Sequence, residues 1–120
     1  GHNPPAAAAL RKELDAMRSG SARLTLVGGM MRDKDASAFL RTVAPAADVI
    51  LCPEINNGRA FTSEEFAHIA RKTGKTAIVS LNVSAALDKA LDESHAGDII
   101  CLAGSFYMLY DGIEWLKKRS

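Results

Sequence analysis

Three residues with the chemistry to bind an anion follow predicted strands in this sequence. The apolar run Leu24–Val27 ends in two glycines, and Lys34 comes a few residues later between two aspartates. Arg59 lies in a polar loop after a second apolar run, and Ser105 follows Gly104 after the last run. Helix N-termini at such loops present free N–H groups, and a nearby cation or hydroxyl strengthens their attraction for carboxylate or phosphate. The sequence therefore predicts an anion site at one edge of a sheet.

Each of these residues also has a simpler interpretation. Lys34 falls in or just before the first turn of a helix, where its charge opposes the helix dipole, so it could be a solvated lysine balanced by Asp33 and Asp35. Ser105 could serve only as the N-cap of the last helix. Arg59 could be solvated, as loop arginines usually are. The sequence leaves these alternatives open, although a position after a parallel strand favours ligand contact.

Other site chemistries are disfavoured. Gly74-Lys75-Thr76 resembles the end of a phosphate-binding loop, but the glycine required five residues before Gly74 is Ile69, and the predicted order of helix and strand is reversed. The histidines are dispersed, which disfavours a metal site. The two cysteines each close an apolar run, which favours buried thiols that pack in the core. These residues are His2, His68, His95, Cys52 and Cys101. We predict no catalytic residue, no metal ligand and no cofactor bound by this domain alone.

Composition indicates an ordinary globular protein. The 120 residues are 48% hydrophobic and 24% charged, which suits one domain spanning residues 1–120 with a single core. A net charge of +1 gives no general field for nucleic acid. No apolar run approaches a membrane span, and the N-terminus lacks the layout of a signal peptide. We therefore expect a cytoplasmic protein without nucleic acid or membrane partners.

Apolar periodicity predicts five helices alternating with four strands. A helix begins near Asn3 and Pro4, and strands are predicted at residues 23–28, 48–52, 76–81 and 99–103. Short connections between buried strands require right-handed helical crossovers. The fold class is therefore α/β: a three-layer, doubly wound, Rossmann-like domain with a mainly parallel sheet of at least four strands and helices on both faces. We expect the strand order 3-2-1-4, which places the first and fourth strands side by side.

Apolar stripes and caps predict how the helices pack. Thr62 and Glu65 match a capping box, and the next helix is predicted to be capped near Ser84. The stripes expected to face the core are Ala7, Leu10, Leu14 and Met17; Phe39, Leu40 and Val43; Phe66, Ile69 and Ala70; Leu87 and Leu91; and Phe106, Leu109, Ile113 and Leu116.

Four segments carry a resemblance to a known family. They are His2-Asn3-Pro4, the stretch from Val27 through Gly28-Gly29-Met30-Met31 to Asp33-Lys34-Asp35, the segment Asn57-x-Arg59-Ala60, and Gly104-Ser105-Phe106-Tyr107. In their order and spacing, the chain resembles the C-terminal domain of folylpolyglutamate synthase/dihydrofolate synthase, in the Mur ligase superfamily. The resemblance extends over nearly the whole chain.

This resemblance implies an ATP-dependent ligase that uses Mg²⁺, activates a folate carboxylate as an acyl phosphate and joins it to the amino group of L-glutamate. The phosphate loop and magnesium ligands would belong to a central ATPase domain that is absent from this chain. The domain seen here would help to bind glutamate and nucleotide and to close the active site. The resemblance assigns His2, Lys34, Ser105 and Arg59 to the glutamate and phosphate end of the cleft, and Asn3 and Asp33 to the nucleotide side.

Two functional hypotheses follow. The first is a domain of a folate–glutamate ligase, which should be inactive by itself because it has no phosphate loop. The alternative is a non-catalytic Rossmann-like module that binds a small anion or another protein, which the predicted sheet would equally allow.

Overall fold

The computed structural model describes residues 4–119, so the predictions for His2 and Asn3 lie outside the described residues. Helices and strands alternate along the chain, as predicted. The helices are α1 Pro4–Met17, α2 Ala36–Val43, α3 Ser63–Arg71, α4 Val83–Asp92 and α5 Phe106–Arg119, and a short 3-10 helix covers Ala44–Ala46. The strands are β1 Leu24–Gly29, β2 Val49–Pro53, β3 Thr76–Ser80 and β4 Ile99–Gly104. Each strand boundary lies within one residue of its prediction.

The four strands form one parallel sheet in the order β3-β2-β1-β4. Leu26 at the centre of β1 pairs in register with Ile50 on one side and Cys101 on the other. The predicted fold class and strand order are both confirmed. Because all strands run the same way, the loops that follow them meet at one edge of the sheet, called here the C-terminal edge.

Buried clusters on both faces make the domain three-layered. One cluster joins β-strand side chains to α1, α2 and α3 through Ala7, Leu14, Phe39, Leu40 and Phe66. The other joins them to α4 and α5 through Val83, Leu87 and Met108. Burial of this apolar surface is the main source of stability for such a fold. None of the helices in residues 4–119 has the length and hydrophobicity that a membrane span requires.

Side-chain caps fix where helices α2, α3 and α4 begin. Asp35 accepts a hydrogen bond from the N–H of Ala38 at 2.9 Å and caps α2. The predicted capping box of α3 is confirmed, with Thr62 and Glu65 each bonding the other's backbone N–H. The cap of α4 is Asn82, so the prediction of Ser84 was two residues late. An amide at Asn82 can accept from the backbone N–H three residues ahead, which Ser84 inside the helix cannot do.

Several stripe residues predicted to be buried are exposed instead. The wrong predictions are Met17 at 61% exposure, Leu91 at 39%, Leu109 and Ile113 at 48% each, and Leu116 at 61%. Helix α5 turns Met108, Gly112 and part of Trp115 towards the sheet. Gly112 fits tightly there, because a Cβ at this position would overlap the side chain of Leu102 on β4. The smallest residue thus sets which flank of the helix approaches the sheet.

Candidate functional site

Two loops are joined above the C-terminal edge of the sheet. The N–H of Arg32, after β1, donates to the carbonyl of Arg59, after β2, at 2.8 Å. The N–H of Phe61 donates to the carbonyl of Met30 at 2.9 Å, and an isolated antiparallel bridge lies between these two bonds. The loops therefore form a short antiparallel pair that holds their side chains in fixed relative positions.

An ion pair locks this loop pair to helix α3. The guanidinium of Arg32 donates to both carboxylate oxygens of Glu65, at 2.9 and 2.5 Å, and lies 5.7 Å from the ring centre of Phe61. Hydrogen bonding to Arg32, then to the N–H of Thr62, lowers the pKa of Glu65 to about 2. The same hydrogen bond raises the pKa of Arg32. The charge of Arg32 is therefore already matched within the protein.

A cavity of about 600 Å³ opens beside the loop pair. Its lining is mostly polar, with two arginines, a carboxylate, an amide and a phenol beside one apolar side chain. The lining residues are Met31, Arg32, Asp33, Asn57, Gly58, Arg59 and Tyr107. A second cavity of about 450 Å³ shares Tyr107 and continues to Asn56, Tyr110 and Asp111. Together they form a groove from the loop pair to the first turns of α5. Its size and mixed lining suit a small ligand with an anionic group.

Arg59 carries the charge that this groove can offer a ligand. Its backbone is held by two hydrogen bonds, from its N–H to the Asn57 side chain at 2.8 Å and from Arg32 to its carbonyl. Its side chain is exposed, and among residues 4–119 no acceptor pairs with its guanidinium. A planar guanidinium presents paired donors that match carboxylate or phosphate. Asp33 lines the same cavity, so the structure brings these two predicted residues together.

Lys34 lies on the same edge of the sheet but outside the cavity lining. It is exposed in the turn before α2, where its N–H donates to the carbonyl of Met31 at 3.1 Å. No group in the described part of the chain pairs with its ammonium. Lys34 directly precedes the cap Asp35, as the sequence predicted. It could therefore reach a ligand that extends beyond the cavity towards the N-terminus of α2.

Ser105 is a buried helix cap rather than a lining residue. It is 3% exposed, and its hydroxyl accepts from the N–H of Met108 at 3.3 Å, while its own N–H donates to the carbonyl of Gly29 at 3.2 Å. The preceding residue, Gly104, has a φ of 143°, and a Cβ there would overlap the backbone oxygen of Gly29. The close approach of β1 and β4 thus places the first turn of α5 directly over the sheet edge.

Sequence reasoning missed three features of the site. Arg32 pairs with Glu65, which is 33 residues away in the sequence, and no local pattern indicates a contact over that distance. Glu65 had already been assigned to the capping box. Tyr107 and Asn57 lay within the segments that carried the family resemblance, yet no role was predicted for them. Both segments follow strands, so the sequence did indicate that they lie at the C-terminal edge. It did not indicate that the two loops pair with each other, and this pairing helps to bring the residues into one cavity.

Another cavity, of about 590 Å³, lies at the opposite edge and is less suited to a ligand. Its two carboxylates, Asp48 and Asp98, already accept hydrogen bonds from the backbone at the start of β1. Asp48 accepts from the N–H of Leu24 and from the guanidinium of Arg18, and although burial raises its pKa, these bonds lower it overall. Asp98 accepts from the N–H groups of Arg23 and His95, which lower its pKa. These groups are structural links between loops and strands.

The cysteines have a structural environment. Cys52 is buried in the core, where desolvation raises its pKa to about 12, and desolvation also raises the pKa of the partly buried Cys101. Both are free thiols. Within residues 4–119, no group of three or more histidine, cysteine, aspartate or glutamate side chains is arranged to hold a metal ion.

Comparisons with known proteins agree with this fold. Residues 1–106 match the family described as Mur ligase, glutamate ligase domain. The dihydrofolate synthase/folylpolyglutamate synthase of Buchnera aphidicola subsp. Baizongia pistaciae is 25% identical over 118 residues, which are 98% of this chain and 27% of that protein. The chain thus spans about a quarter of that relative's length.

Solved structures show the same relationship. E. coli FolC in complex with DHPP and ADP matches with a TM-score of 0.90 and 26% identity, over 99% of this chain and 28% of the FolC chain. The folylpolyglutamate synthase/dihydrofolate synthase of Yersinia pestis, complexed with AMPPNP and a Mn ion, has the same fold at a TM-score of 0.88 and 23% identity, over 98% and 27% of the two chains. The resemblance predicted from sequence is confirmed, and the chain belongs to the Mur ligase family as a glutamate ligase domain.

Proposed function

We propose that this chain is the C-terminal domain of an ATP-dependent ligase that joins L-glutamate to a folate, working in the cytoplasm. The match across residues 1–106 and the similarity to FolC support this assignment. The observation that carries it is the unmatched guanidinium of Arg59 in a groove at the edge where parallel α/β sheets bind ligands. The remaining parts of the active site belong to a central ATPase domain of the same polypeptide.

The proposed reaction has two steps. Bound ATP with Mg²⁺ supplies a phosphoryl group to an oxygen of the folate carboxylate, and ADP leaves. The nitrogen of the glutamate amino group then attacks the acyl carbon, a C–N bond forms, the bond from carbon to the phosphate oxygen breaks, and the nitrogen loses a proton to solvent. Both the acyl phosphate and glutamate carry negative charge, so a domain that closes over them must supply cations.

The residues of this chain fit that requirement. Arg59 offers paired donors to a carboxylate or phosphate, and Lys34 adds a positive charge directly before α2. Ser105 acts indirectly in this scheme, by placing the first turn of α5 and Tyr107 at the groove. Asp33 lines the nucleotide side. The groove holds the carboxylates of Asp33 and Asp111, and the proposed magnesium ligands belong to the central ATPase domain.

The two residues ahead of α1 complete the proposal. We assign His2 to the glutamate and phosphate end and Asn3 to the nucleotide side, because the His2-Asn3-Pro4 segment matches the family motif at this position. In the sequence, these two residues directly precede Pro4, the first residue of α1. A histidine ring can donate a hydrogen bond to an anionic substrate.

Kinetics of the full-length enzyme test the assignment. Arg59→Ala and Lys34→Ala should each lower kcat/KM for glutamate by roughly tenfold to a hundredfold, since a lost charge-assisted contact costs about 1.5–3 kcal/mol. KM for ATP should change by less than about threefold. Arg41→Ala is the matched control, because Arg41 lies in the last turn of α2, at the opposite edge of the sheet. Parent-like use of glutamate in both site variants would refute the site assignment.

The enzyme assignment itself has a separate test. The full-length protein, mixed with ATP, Mg²⁺, dihydrofolate or tetrahydrofolate and glutamate, should release phosphate only when both folate and glutamate are present. The 120-residue chain alone should release none. A full-length protein that binds anions through Arg59 yet releases no phosphate would instead support the non-catalytic binding module.

A further inference from the structure

Arg32 and Arg59 lie directly opposite each other in the loop pair. The two hydrogen bonds that join the loops flank the antiparallel bridge between Met31 and Ala60, which places the two arginines across from each other. Opposite side chains of an antiparallel pair lie on the same side, with Cβ atoms about 4.5–5.5 Å apart. Both arginines accordingly line the same cavity. Like charges in this arrangement repel each other unless one of them is neutralised.

Glu65 neutralises one of the two arginines. Its carboxylate stands in the first turn of α3 and accepts hydrogen bonds from both terminal nitrogens of the Arg32 guanidinium. The guanidinium lies over the ring of Phe61, between the loop pair and α3. Arg32 is therefore held along the loop pair towards α3. Arg59 is left with a guanidinium that has no acceptor within residues 4–119.

The carboxylate of Glu65 is itself held in place. It accepts from the N–H of Thr62 at 2.9 Å, as part of the capping box of α3. The next residue, Phe66, is 1% exposed and packs in the core, so the first turn of α3 has a defined position. The ion pair thus ties the loop after β1 to a helix that the core holds in position.

The turn that carries Arg59 depends on the loop after β1 for its position. It runs between the buried residues Ile55 and Ala60, and its internal hydrogen bonds link Asn57 to both of them. These bonds fix the shape of the turn. Its position beside the loop after β1 depends on the bond from the N–H of Arg32 to the carbonyl of Arg59, at 2.8 Å. An interaction that holds Arg32 in place therefore also holds Arg59.

The exposure of the ion pair indicates that it contributes more to position than to stability. The side chain of Arg32 is 48% exposed and that of Glu65 is 43% exposed. Ion pairs as exposed as this add little to the free energy of unfolding. A guanidinium that bonds both oxygens of a carboxylate is nevertheless restricted to one geometry. Removal of the pair should therefore leave the fold intact and allow the two loops to move.

We propose that Arg32 is a positioning residue, which acts through Glu65 to hold Arg59 where it binds a carboxylate of glutamate. Arg32 does not contact the substrate in this scheme, because Glu65 holds its guanidinium. The inference rests on the proposed function, since it requires Arg59 to bind glutamate. Ordering one flexible side chain on binding lowers affinity by about twofold to tenfold, and the ion pair avoids this loss by ordering the loop beforehand.

The test removes the ion pair from the full-length ligase without changing its net charge. The double variant Arg32→Gln, Glu65→Gln loses one charge of each sign, and glutamine at position 65 can still form the capping box. We expect KM for glutamate to rise at least about threefold and at most about tenfold, while kcat and KM for ATP change by less than about twofold. A merely structural role would reduce the amount of active enzyme, so a lower kcat at unchanged KM would contradict the proposal.

A second ion pair provides the matched control. Lys89 and Glu93 are also exposed, and their charged atoms lie 2.8 Å apart. They stand at the last turn and the C-cap of α4, at the opposite edge of the sheet from the groove. The double variant Lys89→Gln, Glu93→Gln should therefore keep the parent's KM for glutamate. An equal rise in KM in both double variants would contradict a role specific to Arg32 and Glu65.

Arg59→Ala determines whether the ion pair acts through Arg59. In that background, removal of Arg32 and Glu65 should raise KM for glutamate by less than about a further twofold, because the group that they position is absent. A larger further rise would show that Arg32 contacts the substrate and would overturn the proposal. If the double variant's KM rises by less than about threefold while Arg59→Ala is impaired, the inference fails and the proposed function stands. Parent-like use of glutamate in Arg59→Ala contradicts the site assignment, and the inference with it.

Discussion

Replacing Gly104 by alanine should be among the most damaging single changes in this domain. The residue has a φ of 143°, which side chains rarely adopt, and its Cβ would overlap the carbonyl oxygen of Gly29 and lie 3.0 Å from the carbonyl carbon. Strain of this backbone region costs about 1–3 kcal/mol. Because the obstacle is backbone of the neighbouring strand, relief requires β1 and β4 to separate at their ends. That movement would also weaken the Ser105 N–H bond to Gly29, worth about 0.5–1.5 kcal/mol.

Summed, the strain and hydrogen-bond terms predict a loss of about 1.5–4.5 kcal/mol in the free energy of unfolding. Urea denaturation of the variant and the parent measures this loss as a lower midpoint at unchanged m-value.

Two other glycines separate the cost of the positive φ from the cost of the steric overlap. Gly97 has a φ of 93° but open space around it, so Gly97→Ala should cost only about 1–2 kcal/mol. Gly58 has open space and no positive φ, so Gly58→Ala should be neutral or stabilise by about 0.4–1 kcal/mol. A cost for Gly104→Ala no larger than that for Gly97→Ala would refute the steric reasoning.

Three further predictions concern other parts of the domain. The pKa of Glu65 is lowered to about 2, so its pairing with Arg32 stabilises the fold fully above pH about 4.5 and is lost as pH falls through about 2. In Arg32→Gln, NMR titration should show the pKa of Glu65 returning towards 4.5; an unchanged value would mean that another group lowers it. Cys52, with a pKa of about 12, should resist iodoacetamide at pH 8 until the protein unfolds, and rapid native labelling would contradict its burial. Ser105→Ala should lower the free energy of unfolding by about 1 kcal/mol by uncapping α5; an unchanged stability with impaired glutamate use would instead assign its hydroxyl to the ligand.

The sheet could be predicted from the sequence because its signals are local. Each buried strand is a short apolar run bounded by polar residues or glycine, and such runs alternate with helical periodicity. Gly28 and Gly104 end the first and fourth runs, and the expected 3-2-1-4 order makes those strands neighbours, as the structure confirms. The capping box at Thr62 is likewise a pattern of two residues three positions apart. None of these predictions depends on a contact between distant parts of the chain.

The orientation of α5 could not be predicted in the same way. Its apolar side chains occupy more than one flank, so periodicity favours the larger stripe through Leu109 and Ile113. The structure turns the flank with Met108 and Gly112 towards the sheet, because a glycine allows close approach to Leu102. A hydrophobicity pattern gives weight to large apolar side chains and none to a glycine such as Gly112.

The candidate site depends on a non-local pairing for the same reason. Arg32 and Arg59 are both loop arginines and cannot be ranked from the sequence, yet in the fold they have different roles. Glu65 neutralises Arg32 and holds it against Phe61, whereas Arg59 keeps its charge beside the groove. Arg32 donates its backbone N–H to the carbonyl of Arg59, so the neutralised arginine positions the available one. Replacing the Arg32 side chain removes the link from the loop pair to Glu65, so we expect it to loosen the position of the Arg59 guanidinium rather than to remove its charge. The difference between the two arginines follows from where the loops pair.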